Sequence, residues 1–169
     1  MAFRCPKGHI NESGRTMSER ALWATVRRHL GPYLDLVRVE NRAGSGTLDL
    51  SWAGLGAEGW LELKHLHGWP IRPETPVVVR RLTLDQVTWL ERRAARGGRA
   101  HLLLRVAREG YALLAPPAVR ELYERRLTRD ALHMVALLWA TGRFPKLDVL
   151  RALTGRVIIN PRIAPGRPR

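Results

Sequence analysis

Gly46-Thr47-Leu48-Asp49, followed after twelve residues by Glu62-Leu63-Lys64, is the stretch on which the reading of this chain turns. Read as two short strands, it puts an acid on the first and an acid and a lysine two residues apart on the second. Side chains alternate along a strand, so Glu62 and Lys64 share a face, roughly 7 Å apart at about 3.3 Å per residue. Two acids with an ammonium beside them suit a hard divalent cation and an attacking water. Asp49 and Glu62 would supply carboxylates and Leu63 a backbone carbonyl. Lys64 would orient or help deprotonate the water and stabilise developing charge. Mg²⁺ is the expected ion, since it binds through one or two carboxylates and keeps several waters. The plain alternative is a cross-strand ion pair of Asp49 or Glu62 with Lys64 on a solvated sheet face.

The flanking sequence supports strands. Thr47–Ala53 alternates, with Leu48, Leu50 and Trp52 on one face and Thr47, Asp49 and Ser51 on the other. Trp60–Leu66 sets Leu61, Leu63 and His65 opposite Trp60, Glu62 and Lys64. Leu34–Glu40 has strand character, and the three segments read as an antiparallel meander with turns at Asn41–Gly46 and Gly54–Gly59. His65 falls opposite Glu62 and reads as packed rather than ligating. His67 reads as a loop residue within reach of phosphate. Trp60 reads as core, and Trp69 as core or base-stacking.

Upstream, Leu22, Trp23, Val26 and Leu30 recur at helical spacing over residues 17–30. Glu19 lies one turn earlier and points along the apolar stripe. Two explanations stand side by side. Thr16-Met17-Ser18-Glu19 fits a capping box, and Glu19 also fits a third acid at the metal site. Downstream, residues 67–82 read as an irregular loop ending in Val77-Val78-Val79-Arg80-Arg81, a candidate substrate loop. Thr83–Arg96 reads as a helix opened by Thr83-Leu84-Asp85-Gln86 and stopped by Gly97-Gly98. Arg92, Arg93, Arg96 and Arg99 gather at its end, where they suit either the helix dipole or phosphate. Ala100–Val106 and Tyr111–Leu114 read as strands. Val119–Arg126, Thr128–Ala140 and Leu147–Leu153 read as helices.

The chain has 169 residues, enough for one domain with a core of its own. Its net charge of +14 says little about fold and much about partners. Residues 1–66 hold 9 Lys and Arg against 7 Asp and Glu, whereas residues 67–169 hold 20 against 8. The acids that could hold a metal thus sit in the balanced part, and the phosphate-attracting charge follows. Arginine makes up 26 of the 29 basic residues, and its guanidinium pairs with phosphate as a bidentate fork. Arg80, Arg81, Arg92, Arg93, Arg96 and Arg99 are the candidate DNA contacts. One cysteine, Cys5, excludes an internal disulfide, and no apolar run looks like a signal or a bilayer span. A cytoplasmic protein of a prokaryotic or phage-infected cell is expected. Cys5-Pro6-Lys7-Gly8-His9 has the look of half a zinc knuckle, but no second ligand pair follows it.

The order of elements resembles the PD-(D/E)XK nuclease superfamily: a helix with Glu19, a strand, a strand with Asp49, a strand with Glu62 and Lys64, a helix, a strand. Within it the chain is most similar to small VRR-NUC and phage Holliday-junction-resolvase-like nucleases. The resemblance covers about residues 16–107. It implies an α/β, restriction-endonuclease-like core with a central mixed β-sheet flanked by helices. It also implies Mg²⁺- or Mn²⁺-dependent cleavage of DNA. The family's first-helix Glu matches Glu19, its Gly-x-x-Asp matches Gly46 and Asp49, and its Glu-x-Lys matches Glu62 and Lys64. A glutamine that opens the following helix matches Gln86, which its capping role explains too. Leu48 stands where many members have proline. The Gln-x-x-x-Tyr signature of RecB-like exonucleases is absent, since Leu90 holds its last position.

The expected organisation is a flexible arm at 1–15, a nuclease core at 16–116, a helical C-terminal extension at 117–159 and a disordered basic tail at 160–169. The expected activity is endonucleolytic, on branched or structured DNA, by a homodimer. A non-catalytic nucleic-acid-binding module and a restriction-type duplex cutter are the alternatives.

Overall fold

The computed structural model describes residues 12–39 and 48–156, and of residues 12–18 the backbone alone. The chain runs α1 (Glu12–Leu30), β1 (Asp35–Arg38), β2 (Leu50–Gly54), β3 (Ala57–Leu66), α2 (Leu84–Ala95), β4 (Arg99–Val106), β5 (Gly110–Leu114), α3 (Pro116–Tyr123), α4 (Arg129–Val135), β6 (Leu138–Thr141) and α5 (Lys146–Thr154). The strands form one sheet in chain order, β1 to β6. β3 and β4 are parallel and every other neighbouring pair is antiparallel. A parallel pair needs a crossover, and α2 provides it. The architecture is therefore the expected α/β one, a mixed sheet flanked by helices, and β1-β2-β3 is the expected meander.

Both faces of the sheet are covered. On one, Leu102, Leu104 and Val106 of β4 pack with Val87 and Leu90 of α2, Val119 and Leu122 of α3, and Leu132 of α4. On the other, Leu50, Trp52, Leu61, Leu63 and Leu103 pack with Leu22, Val26 and Leu30 of α1 and Val149, Leu150 and Leu153 of α5. The run Leu102-Leu103-Leu104 is buried throughout, as a central strand covered on both faces must be.

Four expectations are corrected. α1 begins at Glu12, so it reaches into the expected arm, and Thr16 lies inside the helix rather than at its cap. β2 starts only at Leu50, and Leu48 joins the α2-side core instead of sharing a face with Leu50 and Trp52. The chain bends at Asp49, and this breaks the alternation. The expected helix Thr128–Ala140 is divided: α4 stops at Val135, and β6 pairs with β5 from Leu113↔Leu138 to Gly110↔Thr141. Residues 135–140 are nearly all apolar and carry no period, so the open edge of β5 decides their form. The stretch 117–159, expected to be helical, accordingly contributes a strand to the sheet as well as helices. Cys5 to His9, the Asn41–Gly46 turn and the tail 160–169 lie outside the described residues. No helix among the described residues is long and apolar enough to cross a membrane.

Candidate active site

The site forms where β2 and β3 part. Their ladder ends at Leu50↔Leu61, whereas β3 stays paired with β4 as far as Leu66↔Val106. The second half of β3 therefore has a neighbour on one side only. Asp49 closes the gap on the other. Its Oδ2 accepts from the Leu63 amide at 3.0 Å, and its own amide donates to Glu62 Oε2 at 3.3 Å. Each carboxylate is thus fixed by a backbone amide of the other's segment. The N–H and C=O of one strand residue point the same way in the sheet, so the Leu63 carbonyl is directed at the same gap.

Glu62 and Lys64 share the face that α2 covers, and both are buried, at 0% and 5% exposure. The Lys64 ammonium lies 2.5 Å from Glu62 Oε1. Gln86, in the first turn of α2, donates from Nε2 to the same oxygen at 2.6 Å. The capping box is present too: the Thr83 hydroxyl accepts from the Gln86 amide at 3.3 Å, and Gln86 Oε1 accepts from the Thr83 amide at 3.1 Å. The two explanations of Gln86 are therefore both true. One end of its amide caps α2 and the other holds Glu62.

Burial pushes the Glu62 carboxyl up to about 7, and the charge of Asp49 pushes the same way, against the pull of Lys64. A buried carboxylate with one ammonium beside it is short of positive charge. A hard divalent cation would supply that charge. The donor set fits one: a carboxylate on β3, a carboxylate at the bend before β2 and a backbone carbonyl, all oxygen. Among the described residues no cluster of three or more His, Cys, Asp or Glu forms. Asp49, Glu62 and Leu63 are the residues that could hold such a cation.

Glu19 sits half-buried on α1, three residues before Leu22, and α1 packs on the opposite face from Glu62. No contact among the described residues joins it to Asp49 or Glu62. Loss of the capping role leaves the third-acid reading as the one to test. His65 is on the face away from Glu62, with its ring 4.8 Å from that of His67.

All six arginines expected to meet DNA, Arg80, Arg81, Arg92, Arg93, Arg96 and Arg99, are exposed. Arg93 lies over the rings of Trp60 and Trp89, 5.9 Å and 5.6 Å from their centroids. Arg99 donates to the Thr154 carbonyl at 2.9 Å, tying β4 to the end of α5. Trp60 packs against the α2-side core, edge-on to Trp89 at 5.0 Å. Trp69 packs against the same core and donates to Glu109 Oε2 at 2.6 Å. The role of Trp89 was not read from the sequence, although Trp89 and Arg93 are four apart on one helix face.

The elements and the site together define a restriction-endonuclease-like α/β fold with its acidic pair at the split between β2 and β3. Among solved structures, the chain is similar to Hjc of Archaeoglobus fulgidus, a Holliday junction resolvase. The likeness has a TM-score of 0.42 at 20% identity and covers 61% of this chain and 78% of that one. No protein-family model and no curated protein matches the chain.

Proposed function

We propose that the chain is a Mg²⁺-dependent DNA endonuclease, with Mn²⁺ able to substitute. In this reading it hydrolyses phosphodiester bonds in branched or otherwise structured DNA, as a cytoplasmic homodimer. The observation that supports it most is the buried Glu62 carboxyl, held by Lys64 and Gln86 on one oxygen and linked to the Asp49 amide through the other. An ordinary surface ion pair would be solvated, and this one is not. The preference for branched DNA comes from the resemblance of the Glu19, Asp49, Glu62 and Lys64 pattern to junction-cutting nucleases. A junction has two strands to cut, which asks for two sites.

When bound, Mg²⁺ would supply Lewis acidity at the phosphate and a more acidic water. The chain's own residues do the rest. Asp49, Glu62 and the Leu63 carbonyl would hold the ion, and Glu19, from α1, would hold an outer water. Gln86 keeps Glu62 from turning away. Lys64 orients the attacking water and offsets the charge that grows on the phosphoryl oxygens. Arg80, Arg81, Arg92 and Arg96 draw the phosphate backbone in, and Arg93 and Arg99 add charge from more fixed positions.

The test compares a four-way junction, a flap and a linear duplex with Mg²⁺ and with Mn²⁺. Wild type should cut, the junction fastest. Asp49→Asn and Lys64→Ala should stop cutting while leaving DNA binding largely intact. No cutting of any DNA by wild type would end the nuclease reading in favour of a binding module. Equal cutting of junction and duplex would make it a restriction-type enzyme instead.

A further inference from the structure

On the outer side of α1, away from the arginines of α2, four arginines line one groove of about 600 Å³. Arg20, Arg27 and Arg28 come from α1 and Arg38 from the end of β1, with Trp23 and Ala24 between them. The helix period explains the grouping: positions 20, 23, 24, 27 and 28 fall on one stripe. Among the described residues none of the four has a carboxylate partner, whereas Arg120, Arg126 and Arg151 are each ion-paired. The dipole of α1 accounts for Arg27 and Arg28 in its last turn. It does not account for Arg20, two turns earlier, or for Arg38 on a neighbouring strand.

The Arg38 end of the groove lies beside the segment that carries Asp49. Arg38 is paired with Leu50, the residue after Asp49, and the Val39 amide donates to the Asp49 carbonyl at 3.0 Å. From Arg20 to Arg28 the helix advances roughly 12 Å at 1.5 Å per residue. On one strand of a duplex, at about 3.4 Å of axis per charge, that length spans about three phosphates.

We propose that this groove binds the phosphate backbone of a DNA arm beside the site, as a second contact surface besides that of α2. The inference takes its partner from the nuclease reading above. A concave row of arginines with an indole in its floor suits a polyanionic strand. An anionic bilayer is the lesser fit, because insertion needs exposed apolar side chains and none of the exposed large apolar residues lines this groove.

The test measures binding alone, in EDTA, so that cutting plays no part. A fluorescein-labelled duplex and a four-way junction are titrated by anisotropy at several salt concentrations. Arg27→Ala/Arg28→Ala should lower the slope of log K against log salt by about 2, at about 0.9 per phosphate contact. Taking the ionic contribution as vanishing at 1 M salt, that is about a 60-fold loss of affinity at 0.1 M. Arg20→Ala/Arg38→Ala should do the same. The control Arg126→Ala/Arg151→Ala removes equal charge from carboxylate-paired sites and should leave the slope within half a unit. Unchanged slopes in both groove variants, at wild-type melting temperature, would overturn the proposal. So would loss of binding to phosphatidylserine vesicles in those variants with DNA binding unchanged. A protein that binds DNA through the groove and never cuts it would refute the nuclease reading and leave this one standing.

Discussion

Gln86 shows how much one side chain decides at this site. Its oxygen accepts from the Thr83 amide, and its nitrogen donates to Glu62 Oε1 at 2.6 Å. The two roles separate by substitution. Thr83→Ala removes the cap and should cost about 1 kcal/mol in urea denaturation with cleavage nearly unchanged. Gln86→Glu keeps an acceptor for the cap but sets a second carboxylate against Glu62. It should cost little stability at low pH and lower kcat about 10- to 100-fold, the usual effect of losing a group that orients a metal ligand. Equal cleavage by Gln86→Glu and wild type would reduce Gln86 to a cap. At this scale the sequence was legible where chemistry is local: the alternation of Glu62 and Lys64 follows from strand geometry alone. The Gln86–Glu62 bond crosses 24 positions of chain, so spacing could not show it.

At the scale of elements, the site depends on β3 keeping both neighbours at its start and losing one midway. Gly59 lets the start close. A Cβ there would lie 2.6 Å from Cζ2 of Trp52 and 2.7 Å from the Arg99 carbonyl, on the neighbouring strands. Trp52 is 1% exposed and has nowhere to go. Gly59→Ala should destabilise by about 1–3 kcal/mol, read as a lower urea midpoint, since overpacking in a filled core costs that much. A neutral result would mean that β2 can shift away. The elements with their own period, α1, α2 and β2 to β4, could be read ahead. β6 could not, because the apolar residues 135–140 fit helix or strand equally and only the open edge of β5 selects the strand. Nor could the bend at Asp49, since alternation predicts a longer β2. The stripe Arg20, Arg27 and Arg28 was visible at helical spacing, but Arg38 joins it only through the β1–β2 register.

Across the whole molecule, two titratable groups, one buried and one half-buried, work against each other as pH changes. Glu62 is raised from 4.5 to about 7 by burial, so the metal-free fold holds its proton more tightly than the unfolded chain does. Its contribution is therefore complete below pH 4.5 and is lost as pH rises to about 7. His101 on β4 is lowered from 6.5 to about 4, by burial first and by Arg99 second. Its contribution is complete above pH 6.5 and is lost as pH falls to about 4. Each amounts to about 3 kcal/mol, with opposite sign, over nearly the same window. In EDTA these two contributions should nearly cancel between pH 4.5 and 6.5. Glu62→Gln should uncover a stability that rises with pH across it, and His101→Gln one that falls. Mg²⁺ should stabilise wild type increasingly as pH passes 7, because the cation supplies the charge that buried Glu62 lacks, and should do nothing for Asp49→Asn/Glu62→Gln. Urea midpoints from pH 4.5 to 8, with and without Mg²⁺, read all of these slopes. A Mg²⁺ effect equal in wild type and in the double variant would detach the ion from the acidic pair, and with it the metal-dependent reading of the site.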